Sequence, residues 1–110
     1  MRGLAKAFKA LGDGKRLQVV RLLSGGPLCV CDLATEVGAK QPLLSFHLKT
    51  LRDAGLVVPA RKGKWIFYSL NEEAMGDLAE ALASWREASG QAAWQAQAAC
   101  CPEPVAKEER

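Results

Sequence analysis

Leu4, Phe8 and Leu11 recur at helical spacing between lysines, and the cluster Gly12-Asp13-Gly14 ends the helix they predict. Asp13 can cap a second helix over 14 to 24, whose inner side takes Leu17, Val20 and Leu23 or Val19 before Ser24-Gly25-Gly26-Pro27 stops it. A third, short helix begins near Cys29 with Val30, Leu33, Ala34 and Val37 inward, and Gly38 is placed to close it with a left-handed residue. Gln41-Pro42 opens a fourth, since proline in the first turn gives up only an amide that has no intrahelical partner. Leu44, Leu48 and Leu51 form its buried stripe, and Ala54-Gly55 closes it. Two helices of about nine and fourteen residues joined by a few residues containing Gly38 predict a helix-turn-helix.

Beyond Gly55 the period changes from helix to strand. Leu56 to Ala60 and Trp65 to Leu70 are rich in Val, Ile, Phe, Tyr and Trp and flank the polar turn Arg61-Lys62-Gly63-Lys64, which predicts a β-hairpin. Asn71 can cap a final helix carrying Met75, Leu78, Leu82 and Trp85, with Ser89-Gly90 as its expected break. The chain before this helix is small and already has its own apolar faces to cover, so the first and last helices are expected to pair with a second copy. The expected fold is therefore mainly α with a β-hairpin wing, a winged helix-turn-helix dimerising through its first and last helices. Residues 1–101 form one DNA-binding and dimerisation domain in this reading, and the charged, proline-containing 102–110 form a mobile tail.

Composition fits a single globular domain: 110 residues, 49% apolar and 25% charged, with no internal repeat. The apolar runs fall far short of the roughly 18 residues that cross a bilayer, which excludes a membrane protein. Residues 1–24 show no secretory signal, so the expected compartment is cytoplasmic. The net charge of +3 is modest, but its layout is uneven. Arg2, Lys6, Lys9, Lys15, Arg16 and Arg21 stand against Asp13 alone in residues 1–24, and Lys40, Lys49, Arg52, Arg61, Lys62 and Lys64 against Asp53 in 40–64. Residues 71–98 are acidic, with Glu72, Glu73, Asp77, Glu80 and Glu87 against Arg86.

A helix-turn-helix followed by a basic hairpin fits duplex DNA, with the second helix in the major groove and the hairpin reaching phosphates or the minor groove. Gln41, Ser45, Lys49 and Arg52 lie opposite the leucine stripe or at its margin and are the expected base and phosphate contacts. His47, the single histidine, stands next to the core position Leu48 and is expected to hydrogen-bond backbone or phosphate rather than a metal. Arg61, Lys62 and Lys64 are the expected phosphate contacts of the hairpin.

The four cysteines come as two close pairs, Cys29-Val30-Cys31 and Cys100-Cys101. In a reducing compartment such pairs point to metal binding or redox chemistry rather than structural disulfides. Cys29 stands where a capping serine would, and Cys31 falls in the first helical turn, where unsatisfied amides favour thiolate. Two thiolates attract a soft ion, but the spacing is not Cys-x-x-Cys, and tetrahedral zinc would need two further well-spaced ligands. A three-sulfur site for arsenic(III) or antimony(III) needs one more thiolate, which either Cys100 or Cys101 could supply. A thiol enzyme such as an arsenate reductase fits badly, because neither Cys29 nor Cys31 precedes a glycine-rich loop with an arginine. A thiol-redox repressor, and a DNA-binding module with inert cysteines, are the remaining alternatives.

The string Leu28-Cys-Val-Cys-Asp-Leu-Ala34 followed by Gln41-Pro-Leu-Leu-Ser-Phe-His-Leu-Lys-Thr-Leu-Arg-Asp-Ala-Gly-Leu-Val57 resembles the ArsR/SmtB family of metal-responsive winged-helix repressors. Phe8 to Leu17 and Arg61 to Tyr68 match as well, so the resemblance covers residues 4 to 90. The Cys-Val-Cys-Asp-Leu string is similar to the arsenic- and cadmium/lead-sensing branches. The resemblance implies a homodimer that occupies operator DNA, blocks transcription of a resistance gene cluster and lets go when the ion binds, with no enzymatic activity. It also makes cadmium(II) or lead(II) alternative inducers. Departures bear on the ion. Ala34 stands where the best-known arsenite-sensing pattern has a third cysteine, residues 1–28 contain no cysteine, and the last helix has no histidine, which disfavours zinc.

Overall fold

The computed structural model describes residues 3–91; Cys100, Cys101 and the expected tail 102–110 lie outside the described residues. The elements in chain order are α1 (Leu4–Leu11), α2 (Gly14–Leu23), β1 (Leu28–Cys29), α3 (Val30–Val37), α4 (Gln41–Asp53), β2 (Val57–Lys62), β3 (Trp65–Leu70) and α5 (Glu72–Gln91). The chain divides into two compact units, one ending at Leu78 and one beginning at Ala79. No described helix is long and apolar enough to cross a membrane.

The helix ends follow local chemistry. The Asp13 carboxylate accepts from the amides of Lys15 at 2.9 Å and Arg16 at 3.2 Å, satisfying donors that the first turn of α2 leaves unpaired. Those amide bonds, the one from Arg16 foremost, hold the Asp13 carboxyl below the usual carboxylate range. Gly38 closes α3 at φ 72°, the left-handed conformation that glycine adopts without cost. Asn71 caps α5, its Oδ1 accepting from the amides of Glu73 and Ala74 while its Nδ2 donates to the Gly55 carbonyl at 2.9 Å.

In the first unit the core is built where α1 to α4 meet the sheet. Val19, Leu33, Leu44, Leu51 and Leu56 are fully buried, and Leu48 and Val57 nearly so. Two sequence expectations change here. Leu17 does not face inward; it is 53% exposed, whereas Val19 and Leu23 are buried. Positions 17 and 19 lie about 200° apart around a helix, so a face that takes Val19 and Leu23 turns Leu17 outward. In α1 the deepest positions are Ala7 and Ala10, while Leu4, Phe8 and Leu11 are only partly buried around them.

The sheet has three antiparallel strands in the order β1-β3-β2. Leu28 pairs with Tyr68 and Cys29 with Phe67, a strand too short for any periodicity to announce it. In the hairpin Lys62 pairs with Trp65 and Arg61 with Ile66, so Arg61 and Lys62 belong to β2 rather than to a four-residue turn. The turn itself is Gly63-Lys64, with Gly63 at φ 62°, as a two-residue hairpin connection requires at its first position. Ser89-Gly90 does not break α5, which runs on to Gln91. An isolated glycine costs a helix only about 1 kcal/mol relative to alanine, and this helix is rich in alanine.

Candidate nucleic-acid interface and cysteine pair

Helix α4 sorts its side chains by angle. Leu44, His47, Leu48 and Leu51 are buried; Gln41, Ser45, Lys49 and Arg52 are exposed on another side. That exposed side forms one wall of an open groove whose other walls are Val30 and Cys31 at the start of α3 and Lys64, Trp65 and Ile66 of the wing. The groove thus brings together four of the expected contacts on α4, one on the wing and one cysteine. Its cations are held loosely. Lys49 Nζ sits 3.1 Å from Asp53 Oδ2 in an exposed i,i+4 pair, and this bond holds the Asp53 carboxyl below its ordinary range. Such a pair is worth little in water, so Lys49 is free to turn to a stronger anion.

The wing is preorganised by its own short-range contacts. Lys64 Nζ stands 5.6 Å from the centroid of the Trp65 ring, and Arg61 Nη1 donates to the Gly63 carbonyl at 3.5 Å. Arg61, Lys62 and Lys64 are all exposed.

His47 is a correction. It was expected to hydrogen-bond backbone or a DNA phosphate, but only 6% of it is exposed, and its Nδ1 lies 3.0 Å from Arg16 Nη1. Arg16 also donates from Nε to the Ala10 carbonyl at 2.6 Å, so one guanidinium ties α4 to α2 and to the last turn of α1. Guanidinium has no acceptor, so Nδ1 accepts and the ring proton sits on Nε2. The reason is angular: 44, 47, 48 and 51 follow the i, i+3, i+4, i+7 pattern of one helical stripe, and His47 falls inside it. That spacing was visible in the sequence, whereas Arg16 as its partner, 31 positions away, carried no local signal. The opposite surprise is Phe46, 58% exposed on the same helix.

Cys29 is the N-cap residue of α3 in an extended conformation, with no hydrogen bond from its side chain to the helix. It is half-buried, Cys31 is exposed, and both are free thiols. Gln41 Nε2 approaches Cys31 Sγ to 4.0 Å, which joins the cysteine pair to the first residue of α4. The donor set is two sulfurs, one of them open to solvent, and it suits a thiophilic ion. Among the described residues no group of three or more His, Cys, Asp or Glu side chains is placed to hold a metal ion. Cys100 and Cys101, the expected source of a third sulfur, lie outside the described residues.

A helix pair crossing after a glycine turn, a second helix with a polar outer face and a basic two-stranded wing define a winged helix-turn-helix DNA-binding domain. Residues 13–58 match the family model described as bacterial regulatory protein, arsR family. The arsenical resistance operon repressor of Bacillus subtilis is 45% identical over 79 residues, covering 71% of this chain and 75% of the relative. The cadmium resistance transcriptional regulatory protein CadC homolog of Staphylococcus aureus is 38% identical over 78 residues, covering 70% of this chain and 64% of its own length. Among solved structures, the homodimeric winged helix-turn-helix domain of a possible ArsR-family regulator from Mycobacterium bovis superposes with a TM-score of 0.63 at 31% identity, over 81% of this chain and 80% of that one. The chain belongs to the ArsR family: it is a DNA-binding transcriptional repressor, not an enzyme.

Proposed function

We propose that this repressor acts in the cytoplasm as a homodimer on the operator of an arsenic-resistance gene cluster, and that arsenite or antimonite releases it by bonding the thiolates of Cys29 and Cys31. The observation that carries this reading is the position of the cysteine pair. Cys31 borders the same groove as Gln41, Ser45, Lys49 and Arg52, and Gln41 reaches its sulfur. Cys29 sits in β1, whose partner strand β3 is half of the wing. Drawing the two sulfurs onto one ion displaces the first turn of α3 against the start of α4 and against the wing together. The core between α3 and α4 is close-packed, with Leu33 and Leu44 at zero exposure, so such a displacement is passed on rather than absorbed.

The magnitude required is small. The two heads of a dimer must meet half-sites about 34 Å apart, so a modest reorientation costs contacts in both. Allosteric coupling of roughly 1–3 kcal/mol lowers operator affinity 5- to 150-fold, and by reciprocity DNA weakens ion binding equally. The third sulfur is supplied by Cys100 or Cys101 in this reading. In the dimer, α1 and α5 form the subunit contact; Leu82 and Trp85, 51% and 53% exposed, supply apolar surface for it on α5. Gln41, Ser45, Lys49 and Arg52 contact bases and phosphates, and Arg61, Lys62 and Lys64 contact phosphates.

The test is an operator titration with and without arsenite. Cys29→Ser with Cys31→Ser keeps operator affinity and abolishes release, and Cys100→Ser and Cys101→Ser made separately identify the third ligand. A double variant that still dissociates normally refutes the assignment. A second reading, cadmium(II) or lead(II) as inducer, is favoured by the name of the Staphylococcus aureus relative. Running arsenite, antimonite, cadmium, lead and zinc against one bound duplex separates the two.

A further inference from the structure

The recognition helix carries an aromatic side chain that is more than half exposed. Phe46 is 58% exposed, although the buried stripe of α4 runs through its neighbour His47. At about 100° per residue, position 46 lies almost opposite the middle of the stripe formed by 44, 47, 48 and 51. Its ring is therefore aimed away from the core, on the part of the helix surface between Lys49 and Thr50, beside the side that carries Gln41, Ser45 and Arg52.

One edge of the ring meets a held neighbour. The Phe46 ring stands 5.6 Å from the His47 ring at an interplanar angle of 59°, and His47 is clamped by Arg16. Thr50 Oγ1 donates to the Phe46 carbonyl at 3.1 Å, so its backbone belongs to a regular, side-chain-buttressed turn. An apolar ring held on the outer face of a helix, next to the cation of Lys49, is suited to a surface that is anionic overall with small apolar points. The major groove is such a surface, and the apolar point it offers on a base edge is the C5-methyl of thymine.

We propose that Phe46 is a specificity-determining residue that packs on a thymine methyl in each half-site. The inference rests on the DNA-binding reading of α4 and adds to the polar contacts expected there a base preference of apolar origin. Burying one methyl is worth about fourfold in affinity, from the ordinary free energy of one buried CH₂ group.

The full chain is used to enrich a duplex from a random-sequence pool, and each thymine of that duplex is then replaced in both half-sites by deoxyuridine, which removes the methyl alone. Wild type loses about fourfold per half-site at one position. Phe46→Ala binds the thymine duplex more weakly and shows no further loss on deoxyuridine replacement at that position; Phe46→Leu keeps part of the sensitivity. The proposal is overturned if no thymine position matters to wild type, if Phe46→Ala keeps the full deoxyuridine effect, or if Phe46→Ala changes the number of subunits, which would make the ring a contact between copies. If wild type enriches no duplex at all, the DNA-binding reading fails first and this inference with it.

Discussion

Removing the His47 side chain tests the central joint of the domain. In His47→Ala, Arg16 Nη1 loses an acceptor now 3.0 Å away, and a ring that is 6% exposed leaves a gap between α4 and α2. A hydrogen bond from a charged donor is worth about 1.5–3 kcal/mol, and truncating a large buried side chain costs about 2–5 kcal/mol. Arg16 keeps its bond to the Ala10 carbonyl and is only partly buried, so water replaces some of what it loses. These effects overlap, and the net loss is about 3 kcal/mol, a large part of the roughly 5–15 kcal/mol that holds a domain folded. For a domain of this size that lowers Tm by on the order of 15 °C. His47→Asn, which returns an acceptor near the Nδ1 position, recovers part of the loss. The assay is thermal and urea denaturation at one fixed protomer concentration, with Arg16→Ala and the double variant completing a cycle whose coupling is about 1.5–3 kcal/mol. A coupling near zero would sink the joint. So would a His47→Ala protein that melts like wild type and yet loses operator affinity, because the imidazole would then be touching DNA.

Three further outcomes follow from the same geometry. Arg61→Ala, Lys62→Ala and Lys64→Ala each weaken operator binding without changing sequence preference, and each lowers the slope of log affinity against log salt by about 1, read by titration at several salt concentrations. Gly38→Ala places a Cβ at φ 72° with nothing within 4 Å of it, so its cost is backbone strain alone, about 1–2 kcal/mol, measurable by urea denaturation. The Asp13 carboxyl is depressed in the folded chain, chiefly by the Arg16 amide, so its contribution is present above the unfolded carboxylate pKa and is lost as pH falls through the lower folded value. Asp13→Ala therefore shows a shallower loss of stability on the acid limb than wild type, and an unchanged acid limb would show that the cap is not holding α2.

What the sequence made legible were the features that repeat locally. The leucines at 44, 48 and 51, the glycine at 38 and the prolyl start of α4 each act over a turn or two, and the structure places all of them as the spacing predicts. The wing was equally visible, because two strands joined by a tight turn pair nearest neighbours. Features that depend on distant partners were not. The strand Leu28–Cys29 exists because β3 offers a free edge, and two residues cannot display a period. Leu17 looked like core because leucine usually is, yet its angle relative to Val19 excludes it once α2 has chosen a face.

The same distinction explains the site. Their place opposite the leucine stripe or at its margin marked Gln41, Ser45, Lys49 and Arg52 as exposed, and they and the wing cations are exposed. The partner of His47 was missed, because a histidine at a stripe position is buried only if something buries with it that can donate to its ring. Arg16 does so from another helix. With His47 turned inward and held, the side chain before it on the helix, Phe46, is turned out. Orientation on this recognition helix is thus set from behind, by a guanidinium in α2 bonded to the end of α1. A substitution at Arg16, which bonds the buried His47 and none of the exposed contacts Gln41, Ser45, Lys49 and Arg52, should therefore alter base preference as well as stability. Enriching duplexes with Arg16→Lys, well below its melting temperature, gives a direct reading: if its preferred sequence is identical to that of wild type, the ring's direction does not depend on the clasp.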